Sequence, residues 1–251
     1  KLVSEYAIKG GASQLGVATL NEGIKLRSSG VKKPILILGN LYTKRDLIIC
    51  FKNDLMPTIS SIRECLICNN IGKQFGLKFL LHLKVDTGMS RLGFEYSKFV
   101  QQFEKIKSLE HISIKGIYSH FSSADEQNAL DPKSITQLQT KKFKELLKQI
   151  NFKKDQNIKI HLANSAGMLL SKDLHFHMVR VGLAMYGYSP LKEIEKNLSL
   201  KPALFLKVKV AFIRMIDKGV SVSYGGKYVS TRKTKLAVLS IGYADGVPRN
   251  L

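Results

Sequence analysis

In "LLHLKVDTGMSRLGF", Leu80 to Phe94, an apolar run carries Lys84 inside it and leads at once into Asp86, Thr87, Gly88 and Arg91. A charge within a buried strand is costly unless it is paired or used. Three later stretches have the same texture: His120 in "YSHFSSADE", His161 with Asn164 and Ser165 in "HLANSA", and Arg180 with Gly182 in "VRVGLAMYG". Taken singly, each has a plain structural account. Lys84 can snorkel, His161 can bond a backbone carbonyl in a core, Ser165 can cap the helix "SAGMLL", and Arg180 before Gly182 can end a strand. Taken jointly, a helix start, two arginines and a histidine suit a small anionic ligand carrying a phosphate.

The elements that must hold these residues follow from periodicity. Apolar runs at 15–19, 34–38, 56–60, 80–86, 114–120, 158–163 and 178–182 alternate with stretches such as "RDLIICFKN" and "SKFVQQFEKIKSL", whose apolar residues recur three and four apart. Repeated strand–helix units imply parallel strands with crossover helices. The expected fold is α/β, a (β/α)8 barrel lacking its first strand, since the count is about seven against eight. In such barrels chemistry gathers at the C-terminal strand ends, where the residues above fall. The opening "KLVSEYAIKGGA" reads as the second half of a helix, so a missing first strand is expected upstream. After Gly187 the texture changes to alternating "ALFLKVKVAFIRMI", then "GVSVSYGGKYVS" and "KLAVLSIGYADG", the start of a mainly-β domain also expected to be cut short. The domains are drawn as 1–195 and 196–251.

Composition narrows the class. The 251 residues are 44% hydrophobic, enough for one substantial core. No apolar run approaches a membrane span and no signal peptide opens the chain, so no membrane partner is expected. Cys50, Cys65 and Cys68 form no metal-ligand pattern, since the lone Cys-x-x-Cys has no second pair; a reduced, cytoplasmic setting and no metal are expected. The net charge of +21 invites a nucleic-acid reading. The lysines are instead spread over every helix, as in "TKKFKELLKQINFKKDQNIK", without interleaved aromatics, and solvated helix faces are the simpler account, so no nucleic acid is expected.

The motifs "LKVDTGMSRLG", "HFSSADE", "HLANSA", "VRVGLAMYG", "VSYGGKY" and "IGYADGVPR" together make the chain resemble the bacterial alanine racemases. These are pyridoxal-phosphate enzymes made of a barrel plus a β-domain. The resemblance implies that His120 lies against the cofactor ring, that Ser165 and the backbone of Gly182 and Leu183 bind its phosphate, and that Arg180 bonds the pyridine nitrogen with His161 in support. It implies Arg91 at the substrate carboxylate, Lys84 as the lysine the family often carbamylates, and Tyr243 as one of two catalytic bases, supplied by the partner subunit of a homodimer. The other base, the Schiff-base lysine, would sit on the missing strand, so the chain as given is expected to be inactive alone. The implied activity is interconversion of L- and D-alanine for peptidoglycan. Rival readings are a serine or broad-specificity racemase of the same fold, and a non-catalytic pyridoxal-phosphate-binding module.

Overall fold

The alternation of apolar runs and amphipathic segments folds as six parallel strands hydrogen-bonded in chain order: β1 (Leu15–Val17), β2 (Ile35–Ile37), β3 (Met56–Ile59), β4 (Phe79–Lys84), β5 (Ile112–Tyr118) and β6 (Lys159–His161). The sheet curls as a half-barrel, a partial form of the (β/α)8 architecture. Its helices are α1 (Leu2–Lys9), α2 (Leu20–Ser28), α3 (Lys44–Lys52), α4 (Ile62–Phe75), α5 (Tyr96–Lys107), α6 (Ile135–Gln149) and α7 (Ser165–Leu170). The structure, a computed structural model, describes residues 1–152, 157–191 and 199–248. Two units are distinguished, Lys1–Pro202 and Ala203–Leu251. The domain boundary drawn at 195/196 lies outside the described residues.

Short polar caps open four of these helices at a defined residue. Thr19, Thr43, Ser61 and Ser134 each accept from the amide three residues on, opening α2, α3, α4 and α6. Each such cap stabilises its helix by about 1 kcal/mol and satisfies an amide that would otherwise be orphaned. Helix α5 buries Phe99, Phe103 and Ile106 on one face, the spacing of a helix laid on a sheet. Helix α6 does the same with Phe143 and Leu146, but its first turns bury Thr136, Gln139 and Thr140. Of these, Gln139 serves the loops beyond the strand ends, while Thr140 bonds back to the Thr136 carbonyl within the helix.

Register sets the inward rows. Lys84 pairs with Tyr118 and Tyr118 with His161, while Thr58 pairs with His82 and His82 with Gly116. Residues two apart on a strand share a face, so His82 and Lys84 point the same way. Thr58, His82, Lys84, Tyr118 and His161 are all buried. A polar layer therefore replaces the usual branched aliphatics of a barrel interior.

The seventh strand expected at 178–182 is not formed. Met178 makes one parallel bridge with His161, and the segment runs beside β6 through His177 N–H to the Ile160 carbonyl and Arg180 N–H to that of Ala163, both at 2.9 Å. The Leu162 carbonyl is instead taken by the Arg180 side chain at 3.1 Å. The ladder is interrupted where the guanidinium turns inward.

Cys50, Cys65 and Cys68 are free and buried on α3 and α4, where burial pushes their thiols well above the ordinary range. In the second unit, β7 (Val210–Ile216) pairs antiparallel with β10 (Thr234–Leu239), and β8 (Ser221–Val222) with β9 (Tyr228–Val229). Among the described residues no helix is long and apolar enough to cross a membrane.

Candidate active site

The site grows from the row Lys84, Tyr118, His161. Tyr118 lies stacked on His161, with ring centroids 4.6 Å apart and planes 7° from parallel. Its hydroxyl meets Thr58 Oγ1 at 2.7 Å, and Thr58 spends its own proton on the Ile37 carbonyl at 2.7 Å. Tyr118 is therefore the donor of that pair. Two cations also lie near the ring: Lys84 Nζ is 5.8 Å and Arg180 Cζ 5.0 Å from its centroid.

Arg180 is the hub. Its two Nη2 hydrogens are shared among the carbonyls of Ser119 (2.8 Å) and Leu162 (3.1 Å) and His120 Nδ1 (3.0 Å), while Nη1 donates to His161 Nδ1 at 2.8 Å. A guanidinium has only donors, so both imidazole nitrogens must be bare acceptors. The titration behaviour agrees: burial and the Arg180 charge hold His120 down to about 4 and His161 well below the ordinary histidine range. Burial also brings Arg180 down to about 10, which leaves it charged at neutral pH. Arg180 Nε is buried and makes no hydrogen bond. A buried donor left open on this guanidinium fits an acceptor on a bound molecule.

Beside this hub the Ser165 hydroxyl accepts from Gly182 N–H at 2.9 Å and from Ala184 N–H at 3.3 Å. Ser165 is not the cap of α7. Asn164 is, accepting from Gly167 N–H at 3.0 Å, which frees the Ser165 hydroxyl to face the 182–184 turn. The second of these amides is that of Ala184, and the Leu183 side chain beside it is half exposed. With two amides donating to it, the Ser165 hydroxyl keeps its own proton available for an anion.

The "DTGMSRLG" loop leaves β4 and is pinned at its base, where Phe94 N–H donates to the Lys84 carbonyl and Asp86 N–H to that of Phe94. Asp86 Oδ1 accepts from the amides of Gly88, Met89 and Ser90, folding the loop on itself. Gly93 has φ +127° and sits so close that a Cβ would lie 2.8 Å from Asp86 N, so only glycine closes this turn. Arg91 is exposed on the loop. Burial first, then the Arg91 and Arg180 charges, pull Lys84 down to about 8. Gln139 ties the neighbouring loops together, donating to the His120 carbonyl at 2.9 Å and accepting from Ser122 N–H at 3.0 Å.

The structure thus gathers Lys84, His120, His161 and Arg180, and separately joins Ser165 to Gly182. Tyr243 belongs to the second unit, in a short turn Tyr243–Asp245 closed by Gly246 at φ +93°. Tyr118, His82, Thr58 and Gln139 were not singled out from the sequence. Period two was the signal for two of them: Tyr118 stands two residues before His120, and His82 two before Lys84.

The family profile described as "Alanine racemase, N-terminal domain" matches residues 1–190, and that described as "Alanine racemase, C-terminal domain" matches residues 203–251. An alanine racemase of Prochlorococcus marinus is 47% identical over 249 residues, and one of a Nostoc species 41% identical over 254; each match takes in 99% of this chain and 64% of the relative. The solved alanine racemase of Clostridium difficile superposes with a TM-score of 0.82 at 34% identity, covering 99% of this chain and 64% of that one. That of Bacillus anthracis, with bound L-Ala-P, gives 0.76 at 33% identity, covering 97% and 62%. The chain spans less than two thirds of the length of these relatives. On the profile matches to both of its parts, the chain belongs to the alanine racemase family.

Proposed function

We propose that the protein is a cytoplasmic, homodimeric alanine racemase that interconverts L- and D-alanine with pyridoxal phosphate and so supplies D-alanine for peptidoglycan. The observation that carries the reading is the unpartnered Nε–H of Arg180, buried on a guanidinium whose other nitrogens are committed. Pyridoxal phosphate, when bound, supplies an electron sink that acidifies the α-hydrogen of an amino acid. Arg180 would donate Nε–H to its ring nitrogen yet withhold a proton, because a guanidinium gives one up far less readily than a pyridinium. That weak sink suits reversible proton exchange over wider rearrangement.

The remaining roles belong to this chain's own groups. His120, held neutral by Arg180 at its Nδ1, would offer a flat uncharged ring face to the cofactor. Ser165 Oγ and the 182–184 backbone would hold the phosphate. Arg91 would bind the substrate carboxylate, and Tyr243 Oη would take or return the α-proton on one face. Lys84 has no carboxylate partner among the described residues and is flanked by Arg91 and Arg180. Its neutral amine is the form that attacks carbon dioxide, forming a carbamate C–N bond and releasing one proton. The product is an anion between the two arginines.

Arg180→Glu in the full-length protein is the test. With alanine and cofactor, racemisation followed by polarimetry should fall at least tenfold, about 1.4 kcal/mol, while pyruvate formation rises relative to it. Unchanged racemisation with no rise in pyruvate would remove Arg180 from the cofactor and the reading with it.

A further inference from the structure

We infer that His82, which no motif of the chain assigns, is a positioning residue that accepts the Nε2–H of His161, anchors that ring, and through it holds the aim of Arg180. The inference rests on the reading above, in which Arg180 Nε–H meets a ring nitrogen. Because Arg180 Nη1 can only donate, His161 Nδ1 is bare and its proton sits on Nε2. That Nε2–H lies 3.0 Å from His82 Nδ1, which must then be the acceptor. His82 in turn carries its proton on Nε2, and this atom is buried without a hydrogen-bond partner. The relay thus runs one way, from Arg180 to His161 to His82, and ends on an unsatisfied donor.

Such an orphan is unfavourable and rare, so its retention asks for a reason. The backbone has also been shaped to admit this ring. The pairing of β4 with β5 slips between Leu81 and His82, and the residue opposite His82 is Gly116. A Cβ at 116 would lie 2.3 Å from His82 Nδ1, the accepting atom itself. Burial and the Arg180 charge hold His82 down to about 3, so it stays an acceptor across the working range.

The consequence is geometric. The guanidinium is clamped on one side by the Ser119 and Leu162 carbonyls and on the other by His161 Nδ1. His161 is held by its stack on Tyr118 and by His82. Without an acceptor at 82 the buried His161 Nε2–H has no partner, the ring loses one of its anchors, and one of the two clamps on Arg180 loosens.

The experiment uses the full-length protein with isotope-labelled histidine and reads the ring-nitrogen shifts of His161 by NMR, beside kcat and KM for alanine. The wild type should show His161 bare at Nδ1 and protonated at Nε2. His82→Leu, which keeps bulk without an acceptor, should move the His161 Nε2 shift off its hydrogen-bonded value and lower kcat roughly tenfold at little change in KM, the scale of one buried hydrogen bond. His82→Gln, which restores an acceptor, should recover both. A wild-type His161 protonated at Nδ1 overturns the inference without any variant, so it stays testable if His82→Leu does not fold. So does a folded His82→Leu with unchanged shifts, or with changed shifts and unchanged kcat. A wild type that takes up no pyridoxal phosphate would instead overturn the functional reading, while the His161 shifts still decide the relay.

Discussion

At the scale of single residues the site is a set of neutral histidines arranged around one permanent cation, and this predicts a pH dependence of stability. His82 and His120 sit at about 3 and about 4 when folded, against 6.5 when unfolded. Below pH 6.5 the unfolded chain takes up protons that the folded chain refuses, so stability falls as pH drops from 6.5 toward 4, by up to about 1.4 kcal/mol per pH unit for buried His82. Lys84 acts in the other window. Its folded value is about 8 against 10.5 unfolded, so an unmodified amine makes stability rise between pH 8 and 10.5. Denaturant titrations across both windows, with His82→Gln and Lys84→Met as controls, should flatten the acid and alkaline slopes respectively. A wild-type alkaline slope that appears only after bicarbonate is removed would mark Lys84 as carbamylated, and NMR with labelled bicarbonate would show the carbamate directly. At this scale the sequence was informative where a charged residue interrupts an apolar run, as at Lys84 and Arg180. It was silent on Thr58, and marked Tyr118 only by its place two residues before His120, while register places the Tyr118 ring against His161.

At the scale of elements the strands were legible and their edges were not. Runs of β-branched and aliphatic residues marked all six strands of the half-barrel, because buried parallel strands need them on both faces. The segment 178–182 has the same composition, yet forms one bridge, because Arg180 captures the Leu162 carbonyl with its side chain. Composition carries no record of where a side chain spends its donors. The slip at Leu81/His82 was equally hidden, although Gly116 in "IKGIYSH" is the sort of glycine that marks close approach within a strand. Gly116→Ala should therefore destabilise the protein by about 1–3 kcal/mol, the usual cost of overpacking. If the clash with His82 is the cause, His82→Ala should remove most of that cost in a double-mutant cycle followed by thermal unfolding. Additive effects would place the strain elsewhere in β4 and β5. Gly93→Ala is expected to act differently, since its positive φ and the nearby Asp86 amide disturb the Arg91 loop and leave the barrel row intact. It should raise KM for alanine more than it lowers the melting temperature.

At the scale of the whole molecule the proposed chemistry draws on residues of both units. Arg91 and the histidine cluster belong to the first unit, and Tyr243 to the second. A proton exchange on both faces of one carbon needs groups from two directions, and a second copy of the chain is an economical source of the second. If Tyr243 acts in the partner's site, a protein carrying only Tyr243→Phe and one carrying only Arg91→Ala are each inactive for different reasons. Subunit exchange between them then creates heterodimers in which one site holds both lesions and the other holds neither. With random exchange half the dimers are mixed and one of their two sites is intact, so about a quarter of wild-type activity should return. Exchange is verified by mass or by a tag on one partner, and the mixture is assayed for racemisation before and after it. Activity that stays at the level of the separate variants after exchange would mean that Tyr243 serves the site of its own chain. Recovery that is absent with Tyr243→Phe but present with a variant elsewhere in the second unit would instead move the proton-transfer role away from Tyr243.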